Sequence, residues 1–176
     1  MEVKLVPFKK KYMGFLEGLW KDPDVNVYTG MPSGGVEMEL WYKQYKLSKK
    51  APGFSSEQYI ILADVMPVGE AAFGMLPNGF VFGTWEKSFS RRCALADIKL
   101  MKRFWGRGMA YGAFMQLIDA IFGKADAHDI ITIPNKENAR ALNLYKRCGF
   151  RDTGESNCQG NLVYLLSREE VCNDKD

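Results

Sequence analysis

Two stretches of this chain carry residue types whose spacing could do chemistry. The first is Arg103-Phe104-Trp105-Gly106-Arg107-Gly108-Met109-Ala110, which follows a strand-like run from Cys93 to Lys102 and leads straight into a helical pattern. Gly106 and Gly108 let the main chain approach a ligand with no Cβ in the way. The first turn of a helix adds N–H groups without an intrahelical acceptor and a partial positive charge. With Arg103 and Arg107 alongside, the stretch reads as a cradle for a pyrophosphate. A tight strand-to-helix turn that binds nothing would contain the same glycines, so both readings stand at this point. Two rivals fail. No Gly-Lys-Ser/Thr closes the loop as a nucleoside-triphosphate site needs, and the glycines Gly106, Gly108 and Gly112 miss the dinucleotide fingerprint by one position. The acidic residue expected about 20 positions later, at the end of the next strand, is also missing, because Asp129 precedes that strand.

The second stretch runs from Asn138 through Leu142 and Tyr145 to Gly149-Phe150. Asn138, Leu142 and Tyr145 fall at i, i+4 and i+7 and share one helical face. An amide and a phenol then line one side of a groove. The alternative is that Tyr145 is a core aromatic and Asn138 an N-terminal helix residue.

The elements that must position these residues follow from periodicity. A strand is expected over Glu2–Val6. A helix carrying Tyr12, Phe15, Leu16 and Leu19 should stop at Asp22-Pro23. A second helix carries Val36, Leu40, Trp41 and Tyr45, with Ser33 and two glycines ahead of it. Residues 48–57 read as linker, and the Lys46, Lys49 and Lys50 cluster beside Pro52 and Gly53 as part of that solvated segment. Tyr59–Val65 reads as a buried strand. Val68–Met75 and Phe80–Thr84 read as hairpin arms around Asn78-Gly79. After the strand Cys93–Lys102, Ala110, Phe114, Leu117, Ile118 and Ile121 mark a helix with Gly123 placed as its stop. Ile130–Ile133 is a short strand, Glu137–Cys148 a helix ended by Gly149, and further strands lie near Phe150 and Leu162. The order gives an α+β fold with a mixed sheet and a single domain over residues 1–176.

Taken together, the two stretches resemble the GNAT acetyltransferase superfamily. The glycine loop is similar to its acetyl-coenzyme A motif, (Gln/Arg)-x-x-Gly-x-(Gly/Ala), at Arg103, Gly106 and Gly108. The later run is similar to Asn-x-x-Ala-x-x-x-Tyr-x-x-x-Gly-Phe at Asn138, Ala141, Tyr145, Gly149 and Phe150. The Asn-Lys-Glu-Asn stretch and the Trp-Gly-Arg-Gly loop look closest to the branch of ribosomal-protein alanine and spermidine acetyltransferases. The resemblance covers residues 58–154 well and the N-terminal third loosely.

That resemblance implies a sheet splayed open between the strands Leu95–Lys102 and Ile130–Ile133, flanked by helices, with acetyl-coenzyme A in the gap. Backbone of Ile98, Lys99 and Leu100 would pair with the pantetheine arm. Arg103 and the turn Trp105, Gly106, Arg107, Gly108, Met109, Ala110 and Tyr111 would hold the pyrophosphate. Asn138 would hydrogen-bond the arm, and Tyr145 would serve the leaving sulfur. The implied reaction is acetylation of a primary amine whose identity the sequence does not give: a protein N-terminus, a polyamine or another small amine. Where family members often supply a carboxylate or histidine as base, this chain has Ala94, Ala96 and Ile133, which leaves Glu70 and Asp97 as candidates. A second reading is a non-catalytic acetyl-coenzyme A-binding sensor or subunit. Trp41, Tyr42 and Tyr45 could line the acceptor mouth or pack as core, and at least one is expected to be core.

Composition bounds the rest. The chain has 176 residues, 47% apolar content and a net charge of +3, which suits one compact domain and argues against a nucleic-acid partner. Its longest apolar stretch, Met109–Phe122, includes Gln116 and Asp119 and is too short to span a bilayer. Cys93, Cys148, Cys158 and Cys172 lack paired spacing and His128 stands alone, so no metal is expected and the thiols read as reduced cytosolic side chains. With no signal peptide in view, the expected setting is cytoplasmic, without a membrane partner, as monomer or homodimer.

Overall fold

The structure is a computed structural model that describes residues 2–29, 35–50, 56–77 and 92–173. Its elements run β1 (Val3–Pro7), α1 (Met13–Lys21), α2 (Pro23–Asn26), α3 (Met38–Ser48), β2 (Ser56–Ala63), β3 (Met66–Met75), β4 (Cys93–Leu100), α4 (Met109–Lys124), β5 (Asp129–Thr132), α5 (Ala139–Arg147), β6 (Arg151–Ser156), β7 (Leu162–Ser167) and α6 (Arg168–Asn173). The seven strands follow the order β1-β2-β3-β4-β5-β7-β6 in one mixed sheet. Two compact units divide the chain: Met1–Ala72 with Asp97–Leu117, and Phe73–Ala96 with Ile118–Asp176.

In the first unit, β1 pairs antiparallel with β2 from Val3↔Ala63 to Pro7↔Tyr59. As β1 is the edge strand, its outer main-chain groups need partners. Gln116 of α4 supplies them, donating from Nε2 to the Val3 carbonyl at 2.9 Å and accepting the Leu5 N–H at Oε1 at 2.9 Å. β2 turns into β3 at Asp64-Val65, where Asp64 takes a φ of +55°. The hairpin expected at Asn78-Gly79, with its second arm Phe80–Thr84, lies outside the described residues. Apolar residues of α1 and α3 bury onto this part of the sheet: Phe8, Leu16, Leu19, Trp20, Val25, Met38 and Ile60 form the core. Trp41, Tyr42 and Tyr45 pack edge-on against Phe8, and Trp41 also meets Trp20 at 5.1 Å. The three aromatics are half-buried and pack against this core, and Trp41 also lines a cavity.

In the second unit, β4 pairs in parallel with β5 from Cys93↔Asp129 to Leu95↔Ile131. β5 and β6 both pair antiparallel with β7, the latter with an irregularity between Asp152 and Ser156. Cys93, Ile131, Val163 and Leu165 are the buried centre of one face.

Several expectations need correction. Helix α3 starts at Met38 rather than at Val36, because the Glu37 carboxylate caps it by accepting the Leu40 N–H at 3.0 Å. Lys46 lies inside that helix with its ammonium over the Tyr42 ring, and Lys49 follows it with a 2.9 Å ion pair to Glu57, so neither belongs to a loose linker. Gly123 does not stop α4, which continues to Lys124; the left-handed residue beyond it is Asp126, with φ of +53°. Asp can take that conformation because its short polar side chain bonds locally. β4 ends at Leu100 rather than Lys102, which opens a 3-10 turn, Lys102–Phe104. The terminal helix α6 was not expected from periodicity.

Candidate active site

The glycine loop is built as the last step of β4. At Gly69 of β3 a Cβ would stand 2.4 Å from the Lys99 carbonyl oxygen and 3.1 Å from Leu100 Cα, so only glycine lets β3 approach β4 this closely. Met101 donates its N–H to the Val68 carbonyl at 2.9 Å, holding β4 to β3 where the strand ends. The chain then makes its 3-10 turn, and the Trp105 indole N–H returns to the Leu100 carbonyl at 2.7 Å, closing the turn on itself. Gly106 and Gly108 follow with φ of +72° and +77°. A Cβ at either would meet nothing within 4 Å. These glycines are thus required by backbone conformation, and the space beside them stays open. Helix α4, 16 residues long, begins at Met109. Its first N–H groups have no acceptor within the helix and carry its positive end. The Arg103 and Arg107 guanidiniums stack over the Phe104 ring at 5.1 and 5.8 Å.

Beside the Asp97/Lys99 face of the same strand lies a cavity of about 250 Å³, lined by Trp20, Val36, Trp41, Gln58, Glu70, Ala72, Asp97 and Lys99. Strand alternation assembles it: Asp97 and Lys99 share one face of β4, Glu70 and Ala72 one face of β3. Glu70 is 3% exposed. Its Oε1 accepts the Trp20 indole N–H at 2.6 Å and meets the Lys99 ammonium at 3.2 Å, while Oε2 accepts from Gln58 Nε2. Lys99 also pairs with Asp97, whose Oδ1 accepts the Ile98 N–H at 2.8 Å. Burial pushes the Glu70 carboxyl above its usual range, opposed by the Lys99 ammonium and the Trp20 N–H. For Lys99 burial acts to lower the value, and the Asp97 and Glu70 carboxylates overrule it, so the ammonium is held well above its ordinary range.

The remaining sequence candidates fall in the second unit. Asn138 caps α5, its Oδ1 accepting the Ala141 N–H at 3.2 Å. Tyr145 is 4% exposed and lies 5.9 Å from Phe150, ring to ring. Gly149, with φ of +90°, ends the helix as anticipated. Ala94 and Ala96 are buried in β4. Burial raises the Cys93 thiol, helped by Asp129, and lifts Cys148 to about 11 against the pull of Arg147, so neither is a nucleophile at neutral pH.

The family model described as acetyltransferase (GNAT) domain matches residues 2–151. The chain belongs to that family. No curated protein matches it. Among solved structures, this GNAT acetyltransferase is similar to aminoglycoside acetyltransferase AAC(6')-Ib in complex with coenzyme A, at 17% identity and TM-score 0.78 over 99% of this chain and 100% of the other. It is similar to spermidine N-acetyltransferase from Vibrio cholerae in complex with coenzyme A and spermine, at 16% identity and TM-score 0.74 over 97% and 98%. A third, AAC(6')-Ib with acetyl-coenzyme A, stands at 18% identity and TM-score 0.78 over 100% and 99%. At these identities the likeness shows the fold.

The residues of this GNAT domain fit acetyl-coenzyme A as co-substrate. An open turn in the left-handed region running into a long helix is the chemistry a pyrophosphate needs. Ile98, Lys99, Leu100, Arg103 and the segment Trp105–Tyr111 all lie on one continuous stretch in the first unit. Two features qualify the expectation: the Leu100 carbonyl is already taken by Trp105, and the Lys99 side chain is committed to the carboxylates. Sequence reasoning missed Gly69, Gln58 and Trp20. Only Gly69 carried a signal, since a glycine inside a strand marks a close backbone approach. Among the described residues no helix is long and apolar enough to cross a membrane, and no group of His, Cys, Asp or Glu side chains could hold a metal ion.

Proposed function

We propose that this acetyltransferase acts by direct attack of a neutral primary amine on the thioester of acetyl-coenzyme A. The observation that carries this is the open, left-handed Gly106–Gly108 turn at the start of α4, continuous with the β4 segment Ile98–Leu100. Acetyl-coenzyme A supplies an activated acyl group. The chain's own part is to hold it: N–H groups of the turn and of Met109, Ala110 and Tyr111 take the pyrophosphate, with Arg103 and Arg107 adding charge. Backbone of Ile98–Leu100 binds the amide-rich arm and polarises the carbonyl through an N–H near Leu100. The registered β4–β5 ladder ends at Leu95↔Ile131 while β4 continues to Leu100, which supports this role for the last part of the strand. Asn138 assists the arm through its amide N–H, because its oxygen caps α5.

Tyr145 is the proposed donor to the departing sulfur. A phenol near pKa 10 is a weaker acid than a thiol near 8.5, so full proton transfer runs uphill by roughly 2 kcal/mol. Tyr145 therefore works chiefly by hydrogen bonding. Tyr145→Phe should lower kcat by about tenfold without abolishing turnover, somewhat below the usual span for acid catalysis. A wild-type kcat in that variant, measured by release of free thiol, would remove Tyr145 from the mechanism. The reading also places the enzyme in the cytosol, supported by the free thiols Cys93, Cys148 and Cys158.

A further inference from the structure

The reading above leaves the acceptor unnamed, and the cavity on the Asp97/Lys99 face of β4 has features that narrow it. Its apolar wall comes from Trp20, Val36, Trp41 and Ala72, and its polar end from Gln58, Glu70, Asp97 and Lys99. Resting on the acetyltransferase reading, we propose that this cavity takes a primary amine with no second ionisable group and a small apolar or aromatic body, admitted as its ammonium and attacking as the neutral amine once its proton has passed to solvent, and that Lys99 excludes polycations.

Three observations lead there. The first is size. At about 250 Å³ the cavity falls below the ~300–1,000 Å³ typical of sites for drug-sized ligands. It suits a small amine or the tip of a larger one. The second is charge. Two carboxylates, Glu70 and Asp97, face one ammonium, Lys99, and since burial pushes the Glu70 carboxyl up, the lining carries at most a single negative charge. Glu70 is engaged at both oxygens, with Oε1 shared by Trp20 and Lys99 and Oε2 bonded by Gln58. Asp97, whose side chain is 56% exposed, is the carboxylate that an arriving ammonium can reach. A second or third positive charge on the acceptor finds no further carboxylate among the lining residues, and meets the Lys99 ammonium instead. Lys99 cannot swing clear, because its side chain is 12% exposed and tethered at both carboxylates.

The third is the character of the wall. Trp20 and Trp41 meet edge-on at 5.1 Å, and α3 holds Trp41 stacked on Tyr45 at 5.4 Å. Such a fixed aromatic surface favours an apolar or aromatic body next to the amine, and indole faces also attract a single ammonium. A polyhydroxylated body gains little from an apolar wall, and an extended polyamine places its further charges beyond the one reachable carboxylate. The solved structures that share its fold include complexes with spermine and with kanamycin, larger and more highly charged amines.

The test is a panel of amines presented to the full chain with acetyl-coenzyme A, reading free thiol. Phenethylamine and isopentylamine should exceed spermidine and kanamycin in kcat/KM by ~10-fold or more, the scale on which a small apolar pocket discriminates. Spermidine or kanamycin as the best acceptor would overturn the substrate class while leaving acetyl transfer intact. No thiol release with any amine, despite calorimetric binding of acetyl-coenzyme A, would instead remove catalysis itself and this inference with it. Lys99→Met should raise the spermidine-to-phenethylamine ratio about tenfold by removing the opposing charge, and an unchanged ratio would take the selective role from Lys99. Should that variant fail to fold, Asp97→Asn provides the second measurement. It should raise KM for phenethylamine ~10-fold with KM for acetyl-coenzyme A little changed, and equal effects on both would remove Asp97 from amine recognition.

Discussion

The Gly106–Gly108 turn and the Glu70 cluster adjoin the same strand, β4, and are built in opposite ways. The turn is a site made of main chain. Its glycines stand at φ of +72° and +77° with open space around them, and little else in the unit depends on their side. The cluster is a site made of side chains, drawn from α1, β2, β3 and β4 and closed over a carboxylate that is 3% exposed. A backbone site can fail in binding while the fold survives. A buried, fully bonded carboxylate cannot be lost without the fold feeling it.

The largest effect should follow from Glu70→Ala. It takes the acceptor from the buried Trp20 N–H and the Gln58 amide and leaves Lys99 with Asp97 as its one carboxylate, and each buried donor left unmet costs about 1–3 kcal/mol. Urea unfolding reads this directly. A variant as stable as the parent would mean that the cluster is solvated and that the contrast with the turn is false.

The next prediction sharpens the cluster's chemistry. Glu70 is engaged by Trp20, Lys99 and Gln58, and Asp97 is paired with Lys99, so neither carboxylate stands free to take the proton of the amine. A lysine-like amine near pKa 10.4 costs roughly 4.6 kcal/mol to deprotonate at pH 7, an α-amine near 7.8 about 1. The difference, partly offset by the greater nucleophilicity of the more basic amine, should favour α-amines such as phenylalaninamide over phenethylamine by ~10²-fold at pH 7. Raising the pH toward 10 should shrink that gap, because the neutral fraction of the basic amine then rises tenfold per unit. A gap constant from pH 7 to 10 would show that the enzyme removes the proton itself.

How far the sequence disclosed these two places follows from their construction. Gly106, Gly108 and the onset of α4 were legible because a main-chain site needs glycine at fixed offsets next to a helical period, and both are local. Gly149 ending α5 was legible for the same reason. The cluster was not: Trp20, Gln58, Glu70 and Lys99 are joined only by strand register and helix packing, and each alone looks like an ordinary polar or core residue. The same limit explains smaller errors. Asp64 and Asp126 take left-handed φ without glycine, so the β2–β3 turn went unmarked and Gly123 drew the helix end two residues early. α6 begins directly from β7, with Arg168 reaching the Ala127 carbonyl at 2.9 Å, a tertiary tie that no periodicity announces.

Gly108→Val tests the backbone half of the comparison. A Cβ there has room, so the cost is conformational, about 1–2 kcal/mol for an L-residue held at positive φ. Part of that strain is relieved if the unliganded turn relaxes into another conformation, and binding must then restore it. KM for acetyl-coenzyme A should rise ~5–30-fold at roughly 1.4 kcal/mol per tenfold, with stability falling by no more than the strain itself. A large loss of stability with unchanged KM would reverse the assignment and make the turn structural.

Trp105→Phe probes a side chain that fastens the turn to β4. Its indole N–H is 2.7 Å from the Leu100 carbonyl, and phenylalanine keeps the ring while deleting the donor. Leu100 is buried, so the carbonyl loses its partner at a cost of about 1–3 kcal/mol. Since Leu100 is where β4 hands over to the turn, that slack should appear as a rise of about fivefold in KM for acetyl-coenzyme A, while the ratio of kcat/KM between phenethylamine and spermidine stays fixed. If the ratio moves instead, the turn and the cluster are mechanically coupled through Lys99-Leu100, and the two places are one site rather than neighbours on a strand.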